Sequence, residues 1–66
     1  MRLIILDNPK VAIPTVNIDY VSLVHESGDW WMVTLSFGQM SHRLKFDNEA
    51  EASDFYNYVI EELSLT

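Results

Sequence analysis

Two alternating runs that meet at Gly38-Gln39 constrain this chain more than anything else in it. From Asp29 to Phe37, Trp31, Val33, Leu35 and Phe37 fall on one side, and Trp30, Met32, Thr34 and Ser36 on the other. From Met40 to Phe46, Met40, His42, Leu44 and Phe46 alternate with Ser41, Arg43 and Lys45. A period of two is the signature of a strand with unlike faces. Gly38-Gln39 is a two-residue link with glycine where a type II′ turn requires φ > 0. Closing the hairpin there pairs Phe37 with Met40, Leu35 with His42, Val33 with Leu44 and Trp31 with Phe46. Both apolar sets then share one face, whereas a slip of one residue would turn one set into water. The sequence therefore predicts this hairpin with this register.

The flanking segments complete the outline. Arg2-Leu3-Ile4-Ile5-Leu6-Asp7 is β-rich and ends at the turn pair Asn8-Pro9. Val11-Ala12-Ile13 pairs back on it, and Pro14, with no N–H, stops the ladder. Val16 to Glu26 reads as a strand with a conflict. Val16, Ile18 and Tyr20 share one parity, Val21 and Leu23 the other, and a bulge or bent entry near Tyr20–Val21 reconciles them. Glu26-Ser27-Gly28-Asp29 is the turn into the hairpin. After Asn48 the period becomes 3.6. Ala52, Phe55, Tyr56, Val59, Ile60 and Leu63 then share a face opposite Ser53, Asp54, Asn57 and Glu61. Asn48 with Glu51 reads as a capping box, and Asp47 and Glu49 suit the positive end of the helix dipole. Glu61 and Glu62 oppose that dipole at the other end. The expected fold class is α+β. A curved antiparallel sheet of three to five strands carries one C-terminal helix on a face lined by Trp31, Val33, Leu35, Leu44 and Phe46.

A chain of 66 residues allows one domain, residues 1–66. Such a chain buries only about 60% of the surface exposed by its unfolded form. Small domains commonly add disulfides, a metal or a second copy. Cysteine is absent, which leaves self-association as the favoured route and suits a reducing compartment. The apolar run Leu3-Ile4-Ile5-Leu6 is too short for a membrane span or a signal-peptide core. A cytoplasmic homo-oligomer, complete as a small gene product from Met1, is the expectation.

Charge is segregated. Residues 1–46 balance Asp7, Asp19, Glu26 and Asp29 against Arg2, Lys10, Arg43 and Lys45. Residues 47–66 carry Asp47, Glu49, Glu51, Asp54, Glu61 and Glu62 and no basic residue, so the formal charge of −6 sits on the helical end. That end repels nucleic acid and attracts basic surfaces. The exposed helix acids, Asp54 and Glu61 among them, are read first as a solvated face and second as a mimic of nucleic-acid phosphate or a dock for a basic partner.

Enzymatic chemistry finds little support. The chain has no G-x-S-x-G, H-E-x-x-H, Walker A or G-x-G-x-x-G pattern. His25 and His42 lie on different strands without a carboxylate at ligand spacing, and His42 shares its face with Leu44 and Phe46. It is read as a core-edge histidine satisfied by one hydrogen bond. No catalytic residue, metal ligand or cofactor is assigned. The outward sheet face is richer. The register sets Met32 opposite Lys45 and Thr34 opposite Arg43, so Trp30, Met32, Arg43 and Lys45 gather there. An aromatic plate beside two cations suits base stacking with phosphate neutralisation. The same composition suits an oligomer interface, which is the preferred reading in a chain too small to stabilise itself easily. Direct binding of nucleic acid by an acidic domain is electrostatically disfavoured.

The succession Val16-Asn17-Ile18-Asp19-Tyr20-Val21, hairpin, then Phe46-Asp47-Asn48-Glu49-Ala50-Glu51-Ala52 opening a helix, resembles small phage and bacterial proteins of the strand–hairpin–helix kind. Its last three elements, about two thirds of the chain, are also similar to the closing strands and helix of a pleckstrin-homology-like domain. The chain is too short for that domain's full barrel. Small ssDNA-binding coactivator domains share the strands-then-helix order, but their basic strands are missing here. The resemblance implies a non-enzymatic, phage-type accessory protein that blocks or sequesters a host factor, met through the acidic helix and the sheet edge. The competing class is a nucleotide or small anionic ligand binder, or an ssDNA binder, using Trp30, Arg43 and Lys45.

Overall fold

The computed structural model describes residues 2–7 and 10–65. Its strands follow the patterns that built them. β4 (Trp31–Phe37) and β5 (Met40–Phe46) pair antiparallel across Gly38-Gln39, with Val33 opposite Leu44, Leu35 opposite His42 and Trp31 opposite Phe46. Gly38 has φ 65°, a left-handed conformation that costs a residue with a Cβ and not glycine. Gly28 does the same service in the preceding turn, with φ 62°. There the Glu26 N–H donates to the Trp30 carbonyl at 3.2 Å.

β3 (Tyr20–His25) lies on the other side of β4, giving a three-stranded sheet in the order β3-β4-β5. The parity conflict upstream is resolved in two steps. Thr15–Asn17 forms a 3-10 turn, so the strand begins at Tyr20 and not at Val16. The Asp19 N–H then donates at 2.7 Å to the carbonyl of Ser36, which is also the register partner of Tyr20. Two successive residues answer to one, which is the count of a β-bulge. Ile18 and Val21 thereby both pack on the core while Tyr20 stays exposed.

β1 (Leu3–Leu6) and β2 (Val11–Pro14) form a separate two-stranded antiparallel sheet. The Asn8-Pro9 turn lies outside the described residues. Pro14 ends β2 from within it, opposite Leu3. With no further strand to bond, its missing N–H costs nothing there. The five antiparallel strands are therefore divided between two sheets. α1 (Glu49–Ser64) packs against both. Its N-cap is Asn48, whose Oδ1 accepts from the Glu51 N–H at 2.8 Å. This satisfies one of the orphan donors of the first turn.

The core lies between these layers. Ile4, Leu6, Ile13, Leu35 and Val59 are buried together, with Val21, Leu44, Phe55 and Leu63 packed around them. Val33 and Ala52 are also buried. Trp31 and Phe46, expected to line the same face, are half-buried at its margin. Phe46 meets Phe55 at a centroid distance of 5.6 Å. Trp31 stacks on His25 at 4.2 Å. Ile60 of the helix, expected on the packed face, is exposed.

Candidate functional site

The outer face of the three-stranded sheet follows from the register. Across β3, β4 and β5 its rows are Tyr20-Ser36-Ser41, Ser22-Thr34-Arg43 and Val24-Met32-Lys45. Trp30, just before β4, lies one step beyond the last row, beside Lys45. The helix covers the opposite face, which carries Val33 and Leu35. Trp30, Met32, Arg43 and Lys45 are therefore brought together, as the sequence predicts. Lys45 Nζ lies 5.2 Å from the centroid of the Trp30 ring. At that distance the ring quadrupole attracts the ammonium and holds it in place.

Two details differ from the expected face. Trp30 and Met32 are half-buried and not open. Lys45 lies over the Trp30 ring, and Met32 is flanked across the strands by Val24 and Lys45. The most exposed apolar groups of the face are Tyr20, at 57%, and Val24, at 47%. Neither was singled out from sequence. Tyr20 is placed outward by the bulge at Asp19, and Val24 follows in phase. The signal for both was the broken parity between Tyr20 and Val21.

The cations of this face have no carboxylate partner among the described residues. In a chain with ten acids and four bases, the ion pair among the described residues joins Arg2 Nη1 to Glu62 Oε1, at 3.1 Å. No carboxylate of the described residues lies within ion-pair distance of Arg43 or Lys45. Arg2 instead reaches the helix end, where Glu62 opposes the dipole. Asp54 and Glu61 lie exposed on the far side of α1, away from the outer sheet face.

The other candidates have structural roles. The Nε2 of His25 lies 2.9 Å from the Gly28 carbonyl oxygen. A carbonyl only accepts, so the ring nitrogen is the donor and His25 ties down its own turn. His42 is half-buried beside Leu44 as expected, but the hydrogen bond expected of its ring is not formed among the described residues, because its half-exposed edge leaves the ring open to solvent. An open groove lined by Val16, Asn17, Asp19, Phe37 and Gly38 lies at the other end of the sheet. Its carboxylate is engaged, because Asp19 Oδ2 accepts from the Gly38 N–H at 2.9 Å. Among the described residues no three of His, Asp and Glu approach closely enough to hold a metal ion. No described helix is long and apolar enough to cross a membrane.

The chain matches no protein-family model, and no curated protein or solved structure is found similar to it. Its own geometry therefore carries the functional reading.

Proposed function

We propose that this chain is a small, non-enzymatic binding protein of the cytoplasm. It self-associates and captures a partner protein through the β5 side of its outer sheet face, and so blocks or sequesters that factor in the manner of a phage-type accessory protein. The observation that carries this reading is the pair Arg43 and Lys45. They are exposed, lack ion-pair partners among the described residues, and stand beside half-buried Trp30 and Met32. Trp, Met and Arg are the residues enriched at the centres of protein interfaces. A bound partner carrying carboxylates would answer charges that this acidic chain leaves open.

Self-association has its own margin. β3 and β5 are the two edges of the three-stranded sheet. Across a two-fold axis, β5 would set Arg43 and Lys45 against their copies, and like charges directly opposite are destabilising. β3 carries no Asp, Glu, Lys or Arg, and Tyr20 and Val24 stand exposed along it. An uncharged edge is a template for a second copy. The two margins thus divide the work: β3 for the chain itself, β5 for the partner.

The alternative is a nucleotide or small anion at Trp30, Arg43 and Lys45. Lys45 supports it as a phosphate partner, but it also occupies one face of the ring on which a base would stack. The two readings separate by placing a photo-reactive residue in place of Ser41 on the outer face, or of Asn57 on the helix. The protein reading expects a covalent partner adduct from Ser41 and none from Asn57. Adducts from Asn57 alone would move the partner to the acidic helix. Nucleotides are expected to leave tryptophan emission unchanged, and salt-sensitive quenching would favour the ligand reading.

A further inference from the structure

We infer that the free edge of β5 takes up, as an added antiparallel strand, an extended segment of the partner in which carboxylates alternate with apolar residues. This rests on the reading that the β5 margin binds protein, and it names the chemistry of what is bound.

The backbone supplies the first half of the argument. In a hairpin closed by a two-residue turn, the residues flanking the turn exchange both backbone bonds, and bonded pairs recur at every second position. Met40, His42, Leu44 and Phe46 therefore direct their N–H and C=O groups at β4. Ser41, Arg43 and Lys45 direct theirs away from the sheet. No turn, loop or cap bond of the described residues involves these three. Strand addition satisfies such a row, and the alternate side chains of the added strand set its specificity.

The side chains supply the second half. The residues whose backbone is free are those that carry Arg43 and Lys45 on the outer face. Two positions apart on one strand, the cations are spaced by roughly 6.5 Å. Residues directly opposite on an added strand place their Cβ atoms about 5 Å away. Carboxylates at alternate positions of that strand therefore meet both cations at once. The positions between them face the other way, beside half-buried Leu44 and Phe46, and call for apolar β-branched residues. The same charges that reject a second β5 select this segment. Six of the chain's ten acids lie on or just before α1, where the helical backbone offers no extended strand to add.

The probe is a fluorescein-labelled eight-residue peptide alternating glutamate with valine, read by fluorescence anisotropy at low and high salt. The expected result is saturable binding that weakens with salt. The Arg43→Glu, Lys45→Glu double variant should weaken it about tenfold or more, since two attractive cross-strand pairs become repulsive. It should also acquire affinity for the matching lysine–valine peptide. The neutral Arg43→Gln, Lys45→Gln variant should fall between, with the fold of both variants checked by circular dichroism. A peptide N-methylated at the positions that bond β5 should lose binding at unchanged charge. Equal binding of the N-methylated peptide, or equal competition by a short oligothymidylate, would overturn strand addition. Absence of peptide binding would do the same. If Ser41 still cross-links a partner in that case, the binding margin stands without strand addition. If neither occurs, both readings fall.

Discussion

Gly38 shows how much a single position decides. A Cβ added there would meet nothing within 4 Å, so Gly38→Ala has space and only the backbone strain of φ 65° to overcome. The expected loss is about 1 kcal/mol, from the left-handed conformation alone, measured by thermal or urea unfolding. Gly28, equally open at φ 62°, should behave alike. Asn48→Ala should also cost about 1 kcal/mol, since it leaves the Glu51 N–H without its cap. The glycine and the cap were legible in sequence because each is a local rule with a fixed offset. The Asp19 contact with the Gly38 N–H was not, because it joins residues nineteen apart and depends on the bulge. The Arg2–Glu62 pair, sixty apart, was hidden for the same reason.

At the scale of elements, the hairpin and helix were legible because pattern and turn chemistry agree over many residues. The first fourteen residues were less so. Two strands of four residues carry too short an alternation to announce a buried side. Yet Ile4, Leu6 and Ile13 supply much of the core. Ile4→Ala is therefore expected to cost about 2–5 kcal/mol, as much as Leu35→Ala in the central strand. A cost near zero in urea unfolding would make the β1–β2 ribbon an appendage. The start of β3 was misplaced from sequence because Val16 and Ile18 mimic a strand's alternation, whereas residues 15–17 turn tightly. That displacement matters for the site, since it sets Tyr20 and Val24 on the outer face.

The whole molecule is polar in the electrical sense. Six of its ten acids lie on or just before α1, and Arg43 and Lys45, without ion-pair partners among the described residues, lie on the sheet face that α1 does not cover. Its extents of 37 × 22 × 19 Å leave a thin body with few fully buried residues, and a second copy would add to that core. Sedimentation at micromolar concentration is expected to give at least twice the 7.7 kDa chain mass. Val24→Lys, which places a charge on the β3 edge, should return the mass to that of one chain without unfolding it. A clean monomer at high concentration in the parent protein would remove the β3 edge from self-association. The central claim is that the β5 margin, and not the acidic helix, holds the partner. Its most direct test compares partner cross-linking from Ser41 in two variants, with unfolding temperatures recorded for each. Arg43→Glu with Lys45→Glu should abolish the adduct and leave the unfolding temperature nearly unchanged, because both side chains point away from the core. Asp54→Asn with Glu61→Gln should leave the adduct intact. Retention in the first variant and loss in the second would contradict the account and place the partner on the acidic helix.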